Sequence, residues 1–367
     1  MPQTHALRRD RLRAALAALD AAAALVTRLV NVRYLTGLVS SNAALLVPAD
    51  GGAVLATDSR YALTAQRVAP DLELLVAREA EAALADRARS AGLRRLAFEA
   101  HEMTVERHAA LAVGGGLDLI PLGRAIEEAR TVKDEEEIAL LARACAITGE
   151  AFDQVLPQIR PGLTERGLAI ALERAMVDAG ADRPAFDTIV ASGPNGAIPH
   201  HEPGGRELRA GDLITVDCGA CYQGYHADMT RTVALGPPAA WQREIYQLVA
   251  AAQRAGIEAA VPGAALAGID SAARDLIAAA GHGGHFTHGL GHGVGLEIHE
   301  APAVGHGRPG KLDARVPITV EPGIYLPGKG GVRIEDTLVA RSGAGAAASR
   351  ELLTATRTAT PGELLAL

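Results

Sequence analysis

The sequence predicts an α/β domain joined to an α+β domain that carries an internal duplication. Three observations predict it. Residues 1–120 alternate strand-like and helix-like patterns, which suits an α/β unit with a mixed sheet. Around Arg124–Glu137 the character changes to a long amphipathic helix. Beyond it, two similar segments each run on to a hairpin bracketed by a pair of carboxylates. The expected domains are 1–125 and 126–367.

The N-terminal stretch is basic and Ala-rich, but Asp10 and Asp20 interrupt it and Leu7 to Leu19 has helical apolar spacing. It therefore reads as the first helix of a domain rather than as a transit peptide. VRYLTGL, AALLVPA, GGAVLAT, LELLVA and RRLAFEA follow as short strand candidates, with helices expected at Ala80–Ala91 and Thr104–Val113. Gly114–Gly116 lacks the lysine and the following helix of a phosphate loop. TVKDEEEIALLARACAITGEAFDQVL then reads as a helix whose acidic first turn suits the positive end of the helix dipole, with Asp134–Glu137 solvated.

The second domain repeats itself. PGLTERGLAIALERAMVDAG begins at Pro161 and PGAALAGIDSAARDLIAAAG at Pro262, with Gly162 and Gly263, Gly167 and Gly268, and Gly180 and Gly281 matching at one offset. A duplicated unit places its two hairpins around a pseudo-twofold axis and brings distant acids to one point.

In the first hairpin, DCGACYQGYHAD, a turn centred on Tyr222 and Gln223 sets Asp217 opposite Asp228, with Cβ atoms roughly 5 Å apart. In the second, folding EPGIYLPGKGGVRIE about Gly328 sets Glu321 opposite Glu335. Ionised carboxylates that close repel, and buried acids need partners. Arg231 and Arg333 can offset part of that charge, and bound cations the rest. An oxygen-rich shell with one imidazole favours Mn²⁺, Co²⁺ or Mg²⁺ over a thiolate zinc site. Cys218 and Cys221 form a C-x-x-C, but on a strand they face opposite ways, against a redox or zinc role. Among the histidines, His200, His288, His292 and His299 gather beside glycine-rich turns. His201, His226, His282, His285 and His306 read as structural or exposed.

Bulk composition narrows the alternatives. Across 367 residues, 49% hydrophobic and 22% charged content is that of a globular protein. A net charge of -7 argues against non-specific nucleic-acid binding, and 3% aromatics against base-stacking platforms. No apolar run approaches the ~20 residues of a membrane span. Three cysteines, sparse and odd in number, fit a reducing cytosol.

ASGPNGAIPH, VDCGACYQGYHADMTRT, HGLGHGVGLEIHE and EPGIYLPGKGGVRIED together resemble the signature blocks of the pita-bread metallopeptidases. RYLTGL near Tyr34 resembles the N-terminal domain of the proline-specific branch, Xaa-Pro dipeptidase (prolidase) and Xaa-Pro aminopeptidase. The resemblance implies a creatinase/prolidase-like N-terminal domain for oligomerisation and substrate access, and a pita-bread catalytic domain. It implies two divalent metal ions per chain, Mn²⁺ first with Co²⁺ or Zn²⁺ as alternatives. Asp217 would bind one ion, His292 and Glu321 the other, and Asp228 and Glu335 would bridge. His299 and His200 are similar to proton-donating or oxyanion-stabilising histidines, with Glu335 as proton carrier. His288 resembles a substrate-contacting residue near the proline side, and Arg333 a conformational or substrate-anchoring arginine. Cys218, Cys221 and His226 depart mildly from the pattern and remove no ligand.

The implied function is hydrolysis of Xaa-Pro bonds in short proline-containing peptides by a metal-bridging hydroxide, in a cytoplasmic homodimer. The short chain favours the dipeptidase over the aminopeptidase that acts on longer peptides. A peptide-binding scaffold without catalysis and a metal-free creatinase-like C–N hydrolase are the rival classes. The complete ligand set argues against both.

Overall fold

A computed structural model describes residues 2–342, 348–359 and 361–367. The chain divides into two compact units, 1–130 and 131–367.

The first unit runs α1 (Pro2–Ala18), β1 (Ala23–Val26), α2 (Leu29–Thr36), β2 (Ala43–Pro48), β3 (Val54–Thr57), α3 (Ala62–Val68), β4 (Glu73–Val76), α4 (Ala80–Ser90), β5 (Arg95–Phe98), α5 (Val105–Val113), β6 (Asp118–Pro121) and α6 (Ala125–Thr131). Its six-stranded sheet has the order β4-β3-β2-β1-β5-β6. β1–β2 and β2–β3 pair antiparallel, while β1–β5, β3–β4 and β5–β6 pair parallel, so the sheet is mixed as expected. Leu25, Leu46, Ala56 and Leu96 pack with Leu84 and Ala88 of α4 to form its core. One expectation fails. VRYLTGL is no strand: most of it lies in α2, which Gly37 ends in the left-handed conformation (φ 80) with its N–H on the Arg33 carbonyl.

The second unit opens with α7 (Glu135–Val155), α8 (Glu165–Asp178), β7 (Arg183–Pro184), β8 (Ile189–Ser192), β9 (Leu213–Cys218), β10 (Ala220–Tyr222), β11 (Tyr225–His226) and β12 (Met229–Ala234). It continues with α9 (Ala240–Ala259), α10 (Leu266–Ala279), β13 (Gly291–Gly293), β14 (Glu300–Val304), β15 (Pro317–Val320), β16 (Gly323–Leu326), β17 (Gly330–Arg333), β18 (Asp336–Ser342) and β19 (Ala348–Leu352). Asp134 and Glu137 close a capping box at the start of α7. Glu135 and Glu136 are exposed, but Glu137 is buried and accepts a 2.9 Å hydrogen bond from the Tyr225 hydroxyl, which corrects the expectation of a wholly solvated turn.

The duplication is structural. α7 packs on α8, and α9 on α10. Gly162 and Gly263 adopt φ of 87° and 88°, and each donates its N–H to a leucine carbonyl, Leu208 at 3.0 Å and Leu312 at 2.7 Å. The following residues accept in the same way, Leu163 from Leu208 and Ala264 from Leu312. Each half owns a core: α7, α8, β8, β9 and β12 enclose one, and α9, α10, β15 and β18 the other. Matching hairpins follow, β9–β12 prolonged by β10–β11 and β15–β18 prolonged by β16–β17. β8 lies beside β9 with Ser192 opposite Ile214, and β13 lies beside β15 with Gly293 opposite Ile318.

Candidate metal centre

The first hairpin turns at Gln223 and Gly224, one residue later than the sequence suggests. Both have positive φ, 44° and 77°, as a two-residue turn that follows strand twist requires. Asp217 therefore pairs with Thr230 rather than Asp228, and Asp228 sits one side-chain step further along the same face. The parity is kept, so both acids still point one way. Gly219 lets the strands close here, because a Cβ on it would lie 1.9 Å from the Ala227 carbonyl oxygen. In the second hairpin, Val320 pairs with Asp336 and Gly323 with Arg333 in a single register, in which Glu321 falls opposite Glu335. Folding about Gly328 is thus the observed geometry.

The ligand atoms of Asp228, His292 and Glu335 lie within 4.8 Å of one another. His292 Nε2 is 3.6 Å from Asp228 Oδ2 and 3.5 Å from Glu321 Oε1. Its Nδ1–H donates to the Gly293 carbonyl at 3.0 Å, which leaves Nε2 free as a ligand. The Thr230 hydroxyl donates to Glu335 Oε2 at 2.7 Å. Two buried oxygens, Asp217 Oδ1 and Glu335 Oε1, have no hydrogen-bond partner.

The electrostatics agree. Burial, with Asp217 and Glu321 nearby, pushes the Asp228 carboxyl well above its ordinary value. Burial, with Asp228, Glu321 and Asp217 nearby, does the same to Glu335. Burial pushes Glu321 up to about 8 against the opposing pull of Arg333. His292 is pushed down to about 4 by burial, so it is a neutral ligand at pH 7. Carboxylates that resist ionising alone and carry unpartnered oxygens fit a divalent cation, and the donor set suits a hard or borderline ion.

Asp217 differs from the other acids. Arg333 Nη2 donates to its Oδ2 at 2.7 Å, while Nε reaches the Thr230 hydroxyl and Nη1 the Pro199 carbonyl and the Tyr325 hydroxyl. Tyr325 in turn donates to His288 Nε2 at 2.8 Å, and His288 Nδ1–H donates to the Gly289 carbonyl. His288 is neutral there, pushed down to about 4 by burial. His200 and His299 are exposed at a cavity of about 740 Å³, and the His299 ring sits edge-on to His292 at 4.5 Å. Every residue picked from the sequence for this site lines that cavity.

Residues 139–342 match the family model described as metallopeptidase family M24, and residues 8–132 that of the creatinase/prolidase N-terminal domain. The chain belongs to metallopeptidase family M24. It is similar to the uncharacterized peptidase YqhT of Bacillus subtilis, 40% identical over 86% of this chain and 90% of that protein. Among solved structures it resembles an Xaa-Pro dipeptidase from Bacillus anthracis, with a TM-score of 0.93 at 34% identity over 99% of this chain and 100% of that one. It also resembles an X-Pro aminopeptidase from Thermotoga maritima, with a TM-score of 0.88 at 33% identity over 98% and 99%.

In this M24 chain the sequence reading missed Tyr325 and Thr230, which orient His288, Arg333 and Glu335. Both lie inside the quoted blocks, but nothing in spacing alone marks a hydroxyl that bridges two side chains. Phe186, Ile189, Ile198 and Ile298, which give the cavity an apolar wall, were missed as well. His201 and His226 are structural as expected: His201 bonds Glu165, and His226 bonds the Gly295 carbonyl. Cys145, Cys218 and Cys221 are buried.

Proposed function

We propose that this chain is a metal-dependent exopeptidase that hydrolyses Xaa-Pro bonds, with Xaa-Pro dipeptides as its leading substrates. The observation that carries the reading is the convergence of Asp228, His292 and Glu335, with unpartnered buried oxygens beside them, in an M24 chain. The end-to-end likeness to an Xaa-Pro dipeptidase supports the substrate class.

Two divalent ions, Mn²⁺ first, would be held by Asp217, Asp228, His292, Glu321 and Glu335. When bound they supply Lewis acidity and lower the pKa of water from ~15.7 towards ~7. The protein's own groups do the rest. The apolar wall of Phe186, Ile198 and Ile298 receives the proline ring and sheds water from it. His299 and His200 donate hydrogen bonds to the carbonyl oxygen of Xaa as it gains charge. Glu335, steadied by Thr230, takes the proton from the attacking water and passes it to the imino nitrogen of the departing proline. His288 and Arg333 fix the proline side of the site through Tyr325.

Residues 126–367 are assigned to catalysis, and residues 1–125 to oligomerisation and substrate access in a homodimer. The buried thiols of Cys145 and Cys218 support a cytoplasmic setting. No helix among the described residues is long and apolar enough to cross a membrane. The test is release of proline from Ala-Pro with added Mn²⁺, abolished by chelation and restored by metal. Inactivity across several Xaa-Pro peptides and metals overturns the reading. The likeness to an X-Pro aminopeptidase favours a second reading, action on longer peptides. Faster cleavage of Ala-Pro-Ala than of Ala-Pro would select it.

A further inference from the structure

Each of the two exposed histidines at the cavity is followed by a side chain locked into a buried polar pair. After His299 comes Glu300, whose Oε2 lies 2.9 Å from Lys133 Nζ, with the two side chains only 6% and 1% exposed. Glu300 Oε1 also accepts the Glu297 N–H at 3.1 Å. The fold makes room for this carboxylate, since a Cβ on Gly295 would come within 2.8 Å of both its oxygens. Glu300 stands opposite Gly293, the neighbour of His292. The Lys133 backbone is itself tied down by its N–H to the Arg315 carbonyl.

After His200 comes His201, whose Nε2 lies 2.8 Å from Oε2 of the fully buried Glu165. The same carboxylate gathers the segment that leads to His200. It accepts from the Ser192 N–H at 2.8 Å, the Ser192 hydroxyl at 2.7 Å and Asn195 Nδ2 at 3.0 Å. Pro199, on the other side of His200, is held through its carbonyl by Arg333.

Burying a lysine, a carboxylate and an imidazole is costly, and a well-packed apolar set often stabilises a fold as well or better. What charged pairs supply is direction, because ion pairs and hydrogen bonds fix a side chain's angle where apolar contact does not. His299 lies in a bend just before β14 and His200 in a turn. Locking Glu300 and His201 inward fixes the backbone from which each preceding ring projects.

We propose that Lys133–Glu300 and Glu165–His201 are positioning pairs that hold His299 and His200 at the working distance from the scissile carbonyl. The inference rests on the proposed peptidase reading. A displacement of about 1 Å costs on the order of a hundredfold in rate, so the loss falls on kcat rather than on the fold or the metal.

The test compares wild type with Lys133→Met/Glu300→Gln and with Glu165→Gln/His201→Asn. Both double variants neutralise a pair without stranding a buried charge. Expected are unchanged Mn²⁺ content, KM for Ala-Pro within about twofold, and kcat lowered on the order of tenfold or more. Crystal structures of the variants should show the His299 or His200 ring displaced. Folded, metal-loaded variants with wild-type kcat and unmoved rings overturn the proposal. If a double variant does not fold, Lys133→Arg or Glu165→Asp keeps the charge while shifting its head, with the same expected and overturning results. Inactive wild-type protein overturns the peptidase reading alone, and ring position then decides the present one.

Discussion

Arg333 spends every guanidinium nitrogen inside the protein, on Asp217, Thr230, Tyr325 and the Pro199 carbonyl. It is less a free hand for substrate than a brace for the first acid. Removing one partner of a buried pair costs about 3–5 kcal/mol. Arg333→Met should therefore lower the urea-unfolding free energy of chelator-treated protein by about 3 kcal/mol, and added Mn²⁺ should recover part of the loss as the cation takes over neutralisation. Glu321 yields a pH prediction. Its carboxyl rises from 4.5 to about 8 on folding, so between those values the metal-free folded chain holds a proton that the unfolded chain has released. Its contribution to stability is complete below about 4.5 and is lost as pH rises through about 8. Thermal melts in chelator should show Tm falling from pH 5 to pH 8. Bound Mn²⁺ should remove the slope and release protons on binding.

At the scale of elements, glycine placement decides whether the hairpins close. Gly219→Ala puts a Cβ 1.9 Å from the Ala227 oxygen. It should cost about 1–3 kcal/mol in stability and lower Mn²⁺ content through the shift of Asp217 and Asp228. Gln223 is a non-glycine residue in the left-handed region at φ 44, a conformation that costs roughly 1–2 kcal/mol. Gln223→Gly should raise Tm by a few degrees without changing activity.

The same hairpins show what a sequence can and cannot convey. Period-two spacing kept Asp217 and Asp228 on one face even though the turn was placed a residue early, because that error shifts pairing by two. The second register was legible outright, since PGKGG leaves only one way to fold about Gly328. VRYLTGL was misread because so short a run does not separate the two periods, and the helix it belongs to begins upstream at Leu29, with its terminator Gly37 inside the run. β1 (AALV) and β6 (DLIP) went unseen. Alanine and proline are poor strand formers, and only burial or pairing within the sheet makes strands of them.

For the whole molecule, the duplication is readable from Pro–Gly pairs at a fixed offset, and a duplicated unit by itself implies that the acids converge. The cavity wall and the pairs behind His200 and His299 were not readable, because they join residues as far apart as Lys133 and Glu300 whose only relation is the tertiary fold. The two copies are also no longer interchangeable. Ser192 and Gly293 hold the same station in their sheets, and one residue earlier the first copy has Ala191 where the second has His292. On the two-ion reading, one ion meets nitrogen and the other an all-oxygen environment, so occupancy should build up in two unequal stages. Calorimetric titration of stripped protein with Mn²⁺ should resolve two inflections, with His292→Ala erasing one and sparing the other. A single shared midpoint would mean that the lone imidazole does not break the ancestral balance between the copies.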